Sequence, residues 1–310
     1  MQTTAMTIKN VTLIGADGHL GPHILQALLS PEFSFSVTVL KRLSSKSPDN
    51  YPRLVKVTRI EDEVTDDQLQ GVLKDEDAII ITTPGSLLEF HKLIARAAAT
   101  AGVQRLIPAD FGSVDSENEL ARELVPFYND KRDFRLYLTE LTKQYSDFSW
   151  TALVCGHFFY AGSMEFLHIR KEERTVDVLG DGDVKASYSS MEMVGEATAR
   201  ILHHSHDSRT KNQMLFVQSF LKTQLEIKDS LERVTSATWD VNKIDADEFV
   251  AAQKARMKKG GNDESQASED LVWYLGALHA DWSEREGFAM KLLGLGEENL
   301  DVVVKGALTA

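Results

Sequence analysis

Gly15, Gly18 and Gly21 recur at three-residue intervals in Gly15-Ala16-Asp17-Gly18-His19-Leu20-Gly21, directly after the apolar run Val11-Thr12-Leu13-Ile14 and at the start of a helical pattern, His19 to Leu29. Glycines at this spacing allow a tight turn and bring backbone close to a pyrophosphate, which the N–H groups and positive dipole end of a starting helix attract. The segment reads as a dinucleotide-binding loop, with Gly15, Asp17, Gly18, His19, Leu20 and Gly21 as its contacts. A second strand candidate, Ser36 to Leu40, ends in Lys41 and Arg42, and no acid follows until Asp49. NAD enzymes usually place an acid there to accept from the ribose 2′-hydroxyl. Cations and the hydroxyls of Ser44 and Ser45 suit a 2′-phosphate instead, so NADP(H) is the expected cofactor, held by Lys41 and Arg42. The plain alternative for this cluster is a solvated basic loop.

Two further strand-end loops fall in register with the glycine turn. Thr82-Thr83-Pro84-Gly85 and Pro108-Ala109-Asp110-Phe111-Gly112 are expected to add cofactor contacts through Thr82, Thr83, Pro84, Asp110 and Phe111. Beyond the sixth strand, Cys155-Gly156-His157-Phe158-Phe159-Tyr160 offers an aromatic surface for a flat substrate, with His157, Phe158 and Phe159 as its contacts. A hydrogen-bonded core histidine and core aromatics fit the same residues. His203-His204-x-His206 lacks a carboxylate cluster and reads as a helix end, so no metal site is expected.

These residues need a frame. Strand candidates Leu54 to Thr58, Ala78 to Thr82, Gln104 to Ile107 and Trp150 to Val154 alternate with helical patterns at Ser86 to Ala101 and Tyr128 to Tyr145. That rhythm predicts an α/β fold, a Rossmann-type doubly wound parallel sheet over residues 1–155, completed by parts of 185–220. Residues 156–184 and 221–310 are expected to form a smaller, mostly helical C-terminal lobe that binds substrate. A turn at Gly180 to Asp183, a helix from Met191 to His203 and an apolar stripe of Trp273, Tyr274, Leu278 and Trp282 belong to this later part.

The chain of 310 residues is long enough to bury a substantial core. Its 34 Lys plus Arg against 47 Asp plus Glu leave a net charge of −13, which repels phosphate backbones and argues against nucleic-acid partners. A single cysteine, Cys155, excludes an internal disulfide and suits a reducing compartment. Met1 to Asn10 lack the apolar core of a signal peptide, and no apolar run nears the roughly 20 residues of a membrane span. A cytoplasmic location is expected.

Together, the glycine turn, Arg42, Leu106 to Gly112, Phe127 to Lys131, Gly156 to Phe159 and Gly180 to Lys185 resemble the NmrA-like, isoflavone-reductase-like family of atypical short-chain dehydrogenases. This group includes plant phenylpropanoid-type reductases and fungal secondary-metabolism proteins. Ala109-Asp110 stands where the family often has Ser-Glu, and Glu192 where an Asp is common. Ordinary short-chain dehydrogenases donate a proton from Tyr-x-x-x-Lys. Here Tyr128 and Lys131 are three apart, and Phe127 occupies the tyrosine position. The resemblance implies that Lys131 acts alone as general acid or base and touches the cofactor, although periodicity by itself reads it as an exposed helical lysine. Arg135, one turn later on the same helix face, is placed to hold Lys131 near cofactor phosphate or ribose, or to raise its tendency to lose a proton. The implied activity is NADPH-dependent reduction of an aromatic, phenolic or conjugated small molecule by a monomer or homodimer. Two alternatives stay open, a dinucleotide-sensing regulator that binds a protein partner and a non-redox enzyme on the same scaffold.

Overall fold

In this computed structural model, residues 7–309 are described. The first six positions, on which the reading of the N-terminus partly rests, lie outside them. Runs of apolar, mostly β-branched residues form a central sheet: β1 (Asn10–Ile14), β2 (Ser36–Arg42), β3 (Lys56–Ile60), β4 (Ala78–Ile81), β5 (Arg105–Ile107) and β6 (Ser149–Val154). They are joined by α1 (Gly21–Leu28), α2 (Asp66–Leu73), α3 (Leu88–Ala101), α4 (Glu119–Leu124) and α5 (Phe127–Gln144). The pairs β3–β2, β2–β1, β1–β4, β4–β5 and β5–β6 are all parallel. Every residue of β4 and β6 is buried, and β4 reads as an unbroken apolar run rather than an alternating one.

The later elements are β7 (His157–Phe158), β8 (Ile169–Arg170), β9 (Thr175–Leu179), β10 (Lys185–Ser189), α6 (Met191–His203), β11 (Gln213–Phe216), β12 (Phe220–Thr223), α7 (Gln224–Thr235), β13 (Asp240–Ile244), α8 (Ala246–Met257), α9 (Gly261–Leu278) and α10 (Leu300–Thr309). The central sheet runs β11-β6-β5-β4-β1-β2-β3. The six strand candidates all fall on observed strands, the third two residues late because Leu54 is exposed. The seventh strand, β11, is an addition.

Two compact units emerge. Unit 1 takes residues 1–111, 129–153 and 194–215, and unit 2 takes 112–128, 154–193 and 216–310. Unit 1 thus includes most of α6 and of β11, while residues 112–128 group with unit 2. Beside its helices, unit 2 holds two three-stranded sheets, β12-β10-β7 and β13-β9-β8. β13 is missed because Asp240-Val241-Asn242-Lys243-Ile244 is exposed along most of its length and shows no apolar run. No described helix is long and apolar enough to cross a membrane.

A buried arginine ties unit 1 together. Arg105 is 2% exposed and donates to Ser149 Oγ at 2.9 Å, Thr151 Oγ1 at 2.7 Å and the Ser205 carbonyl at 2.9 Å. Burial lowers its pKa to about 10, yet it stays charged at neutral pH. Thr151→Val keeps the shape and removes one acceptor, so it should cost about 1–3 kcal/mol of stability, read from the urea midpoint. An unchanged midpoint would show that the network carries no such weight.

Candidate active site

The glycine loop is shaped by crowding. β1 delivers the chain to Gly15, whose φ of +93° favours glycine, and a Cβ there would lie 2.5 Å from Thr82 Oγ1. That Thr82 hydroxyl is shared between the carbonyls of Ile14 and Gly15, at 2.9 and 3.0 Å, so β4 pins the turn from below. A Cβ on Gly21 would collide with the Gly15 and Ala16 carbonyls. α1 then starts at Gly21-Pro22 with no side-chain cap and no acid in its first turn. Its backbone donors and positive dipole end remain available to an anion. A cradle this tight, walled by backbone, fits a dinucleotide pyrophosphate. His19 is exposed beside it and Leu20 is buried.

At the end of β4, Thr83 Oγ1 lies 2.8 Å from His91 Nε2. His91 is 2% exposed on α3, and burial pushes its pKa down to about 4, so a neutral imidazole orients the Thr83 hydroxyl. Pro84 is exposed. Sequence reasoning passed over His91 because it sits on an ordinary apolar helix face.

Lys131 is enclosed. Its side chain is 13% exposed, its Nζ donates to the Asp110 carbonyl, and it stands 4.0 Å from Asp110 Oδ1. Arg135 Nε approaches the other carboxylate oxygen at 3.4 Å, with side chains 5% and 2% exposed. The exposed-lysine reading is therefore corrected: one buried carboxylate at the end of β5 faces two cations from successive turns of α5. Asp110, expected to contact cofactor, is directed toward Lys131 and Arg135, while Phe111 is half-buried. Tyr128 is fully buried, and its hydroxyl lies 3.2 Å from Ser113 Oγ.

The two basic residues ending β2 part ways. Arg42 has a side chain 64% exposed, 3.7 Å from Asp62. Lys41 turns inward, 4% exposed, with Nζ 2.9 Å from Asp17 Oδ2 and 3.0 Å from Asp49 Oδ1. Lys41 as a phosphate contact is thus revised by its position, since its charge is already matched by carboxylates.

In unit 2, His157 is 1% exposed, with Nε2 3.1 Å from the Trp273 carbonyl and its ring against Gly276, where a Cβ would collide. Phe159 is equally buried, edge-on to Tyr188 and Phe220. Both residues pack the interior of the unit, which corrects their expected place as substrate contacts. Phe158 alone of the three is partly exposed.

Comparison with known proteins places this arrangement. The profile of the NmrA-like family matches residues 7–257. The chain belongs to the NmrA-like family. Among relatives, Oxidoreductase aprR of Aspergillus flavus is 30% identical over 304 residues, 98% of this chain and 99% of its own. Pinoresinol reductase 2 of Arabidopsis thaliana is 24% identical over 263 residues, 78% and 79% of the two chains. Among solved structures, AtPrR2 with NADP+ and (+)pinoresinol has a TM-score of 0.75 at 20% identity, covering 97% of this chain and 99% of that one. The binary complex of leucoanthocyanidin reductase and NADPH from Vitis vinifera has a TM-score of 0.78 at 16% identity, covering 97% and 100%. This NmrA-like chain therefore shares the fold of those reductases.

Proposed function

We propose that the chain is an NADPH-dependent reductase of an aromatic, phenolic or conjugated carbonyl-type small molecule, with Lys131 as general acid or base. The observation that carries this reading is the enclosed Lys131–Asp110–Arg135 group at the end of β5, on the same sheet as a glycine loop whose crowding leaves room for backbone alone. The names of the relatives, an oxidoreductase and pinoresinol and isoflavone reductases, support the same chemistry. Gly15, Gly18, His19, Gly21, Arg42, Thr83 and Pro84 would hold the dinucleotide, which when bound supplies a hydride to the acceptor.

The chain's own residues do the rest. Asp110 holds the Lys131 ammonium through its backbone carbonyl and carboxylate, fixing the direction from which a proton is delivered or taken. Arg135 engages the far side of that carboxylate, which keeps Asp110 turned toward α5. Tyr128, engaged with Ser113, is left out of the proton path. This reading assigns dinucleotide binding to unit 1 and substrate selection to unit 2.

Following NADPH oxidation by purified protein against phenolic ketones, enones and quinones, with NADH in parallel, tests the reading. Turnover with NADPH and at least tenfold weaker binding of NADH are expected. NADH bound as tightly as NADPH would reject the cofactor assignment. Tight NADPH binding with no turnover across the panel would shift the reading to a dinucleotide-sensing protein.

A further inference from the structure

Three carboxylates stand where a cofactor carrying an extra phosphate would be read. Asp17 lies in the glycine loop, Asp49 in the segment after β2, and Asp62 beside Arg42. In α/β dinucleotide sites an acid at the end of the second strand accepts from the ribose 2′-hydroxyl, and the same charge repels a 2′-phosphate. A bare Asp17 in this loop would therefore favour the unphosphorylated dinucleotide.

It is not bare. Lys41 Nζ lies 2.9 Å from Asp17 Oδ2, the Tyr51 hydroxyl donates to Asp17 Oδ1 at 2.5 Å, and the same ammonium donates to the Ser47 carbonyl at 2.9 Å. Asp49 takes Lys41 at 3.0 Å on one side and Arg59 Nη2 at 3.0 Å to each oxygen on the other. Two acids and two bases thus cancel, and the segment that follows β2 is drawn onto the glycine loop. Burial opposes the Lys41 charge, but the hydrogen bonds to Asp17 and Asp49 outweigh it and hold the group above its ordinary pKa, so it remains protonated. Asp17 and Tyr51 border a cavity of about 910 Å³ that Pro22, Leu25 and Gln26 of α1 also line. The carboxylate is therefore within reach of a ligand and not sealed in a core.

We infer that Lys41 is an internal counter-ion whose task is to silence Asp17, and that this pair sets the preference for a 2′-phosphorylated dinucleotide by removing a repulsion, with Arg42 left as the outward cation. The inference rests on the proposed NADPH reading. Lys41 is on this account a specificity-determining residue that acts through Asp17, without touching the phosphate.

The test is equilibrium binding of NADPH and NADH, by nicotinamide fluorescence and calorimetry, to the wild-type chain, Lys41→Met, Asp17→Asn and the double variant. Lys41→Met is expected to shift the ratio of NADH to NADPH dissociation constants at least tenfold toward NADH. Asp17→Asn should move the ratio a few-fold the other way, and the double variant should return to within threefold of wild type. If the double variant stays as poor as Lys41→Met, the lysine contacts the phosphate itself and the inference is overturned. Equal weakening of both dinucleotides would also overturn it, leaving Lys41 only a structural part. Should Lys41→Met not fold, as judged by circular dichroism, Asp17→Asn decides: an unchanged ratio there ends the idea. A wild-type chain that binds neither dinucleotide would instead overturn the proposed function.

Discussion

Lys131→Met is expected to lower kcat by about 10²- to 10⁴-fold, the range that a positioned acid or base contributes. The methylene stem is kept and the ammonium removed, so the helix should fold while the proton path is lost. NADPH affinity should fall much less than turnover, because the glycine loop and the β2 end are built from contacts that do not include Lys131. Asp110→Asn keeps the backbone carbonyl that accepts from Lys131 but removes the charge between it and Arg135. Its turnover should fall between wild type and Lys131→Met, and its pH–rate profile should move. Stopped-flow measurement of single turnovers separates the chemical step from product release. Full single-turnover rates in Lys131→Met would reject the acid/base role and leave the fold assignment standing.

Much of unit 1 was legible because its signals are local. Buried parallel strands favour unbroken apolar runs, as in β4, and the glycine loop declares itself because Gly15 and Gly21 have no room for a Cβ. The orientation of long side chains is another matter. Lys41 and Arg42 are adjacent and chemically alike, yet one is 4% and the other 64% exposed, and what divides them is Asp17 and Asp49 arriving from two separate loops. Lys131 sits in a run of alternating charges that looks solvated, and only its meeting with Asp110, 21 residues earlier, encloses it. In unit 2 the strands are two to five residues long, and β9 pairs with β13 some 65 positions later in sequence. Such pairs leave no periodic trace. His157 was drawn toward substrate by its place after β6, but its partner, the Trp273 carbonyl, is 116 residues away.

Acidification should destabilise both units, through one buried histidine in each. Burial lowers His91 to a pKa of about 4, and it does the same to His157 although the bond to the Trp273 carbonyl pulls the other way. Unfolded, each returns to the ordinary value of about 6.5. Between those limits the unfolded chain binds more protons than the folded one, so stability is fully present above about pH 6.5 and declines as the pH falls toward 4. Each histidine should remove about 3 kcal/mol across that window, a large share of the roughly 5–15 kcal/mol that holds a typical domain together. Carboxylates held low by their partners, such as Asp177 with Arg170, Asn242 and His168, oppose burial and keep their contribution until lower pH, so they leave the window to the histidines. Urea unfolding at pH 7.5, 6.0 and 5.0 reads the decline directly. His91→Gln, which removes one titrating ring, should flatten the dependence in unit 1 and leave that of unit 2, followed through the fluorescence of Trp239, Trp273 and Trp282. A urea midpoint that stays level from pH 7.5 to 5.0 would show that these rings take up protons as readily in the folded chain as in the unfolded one.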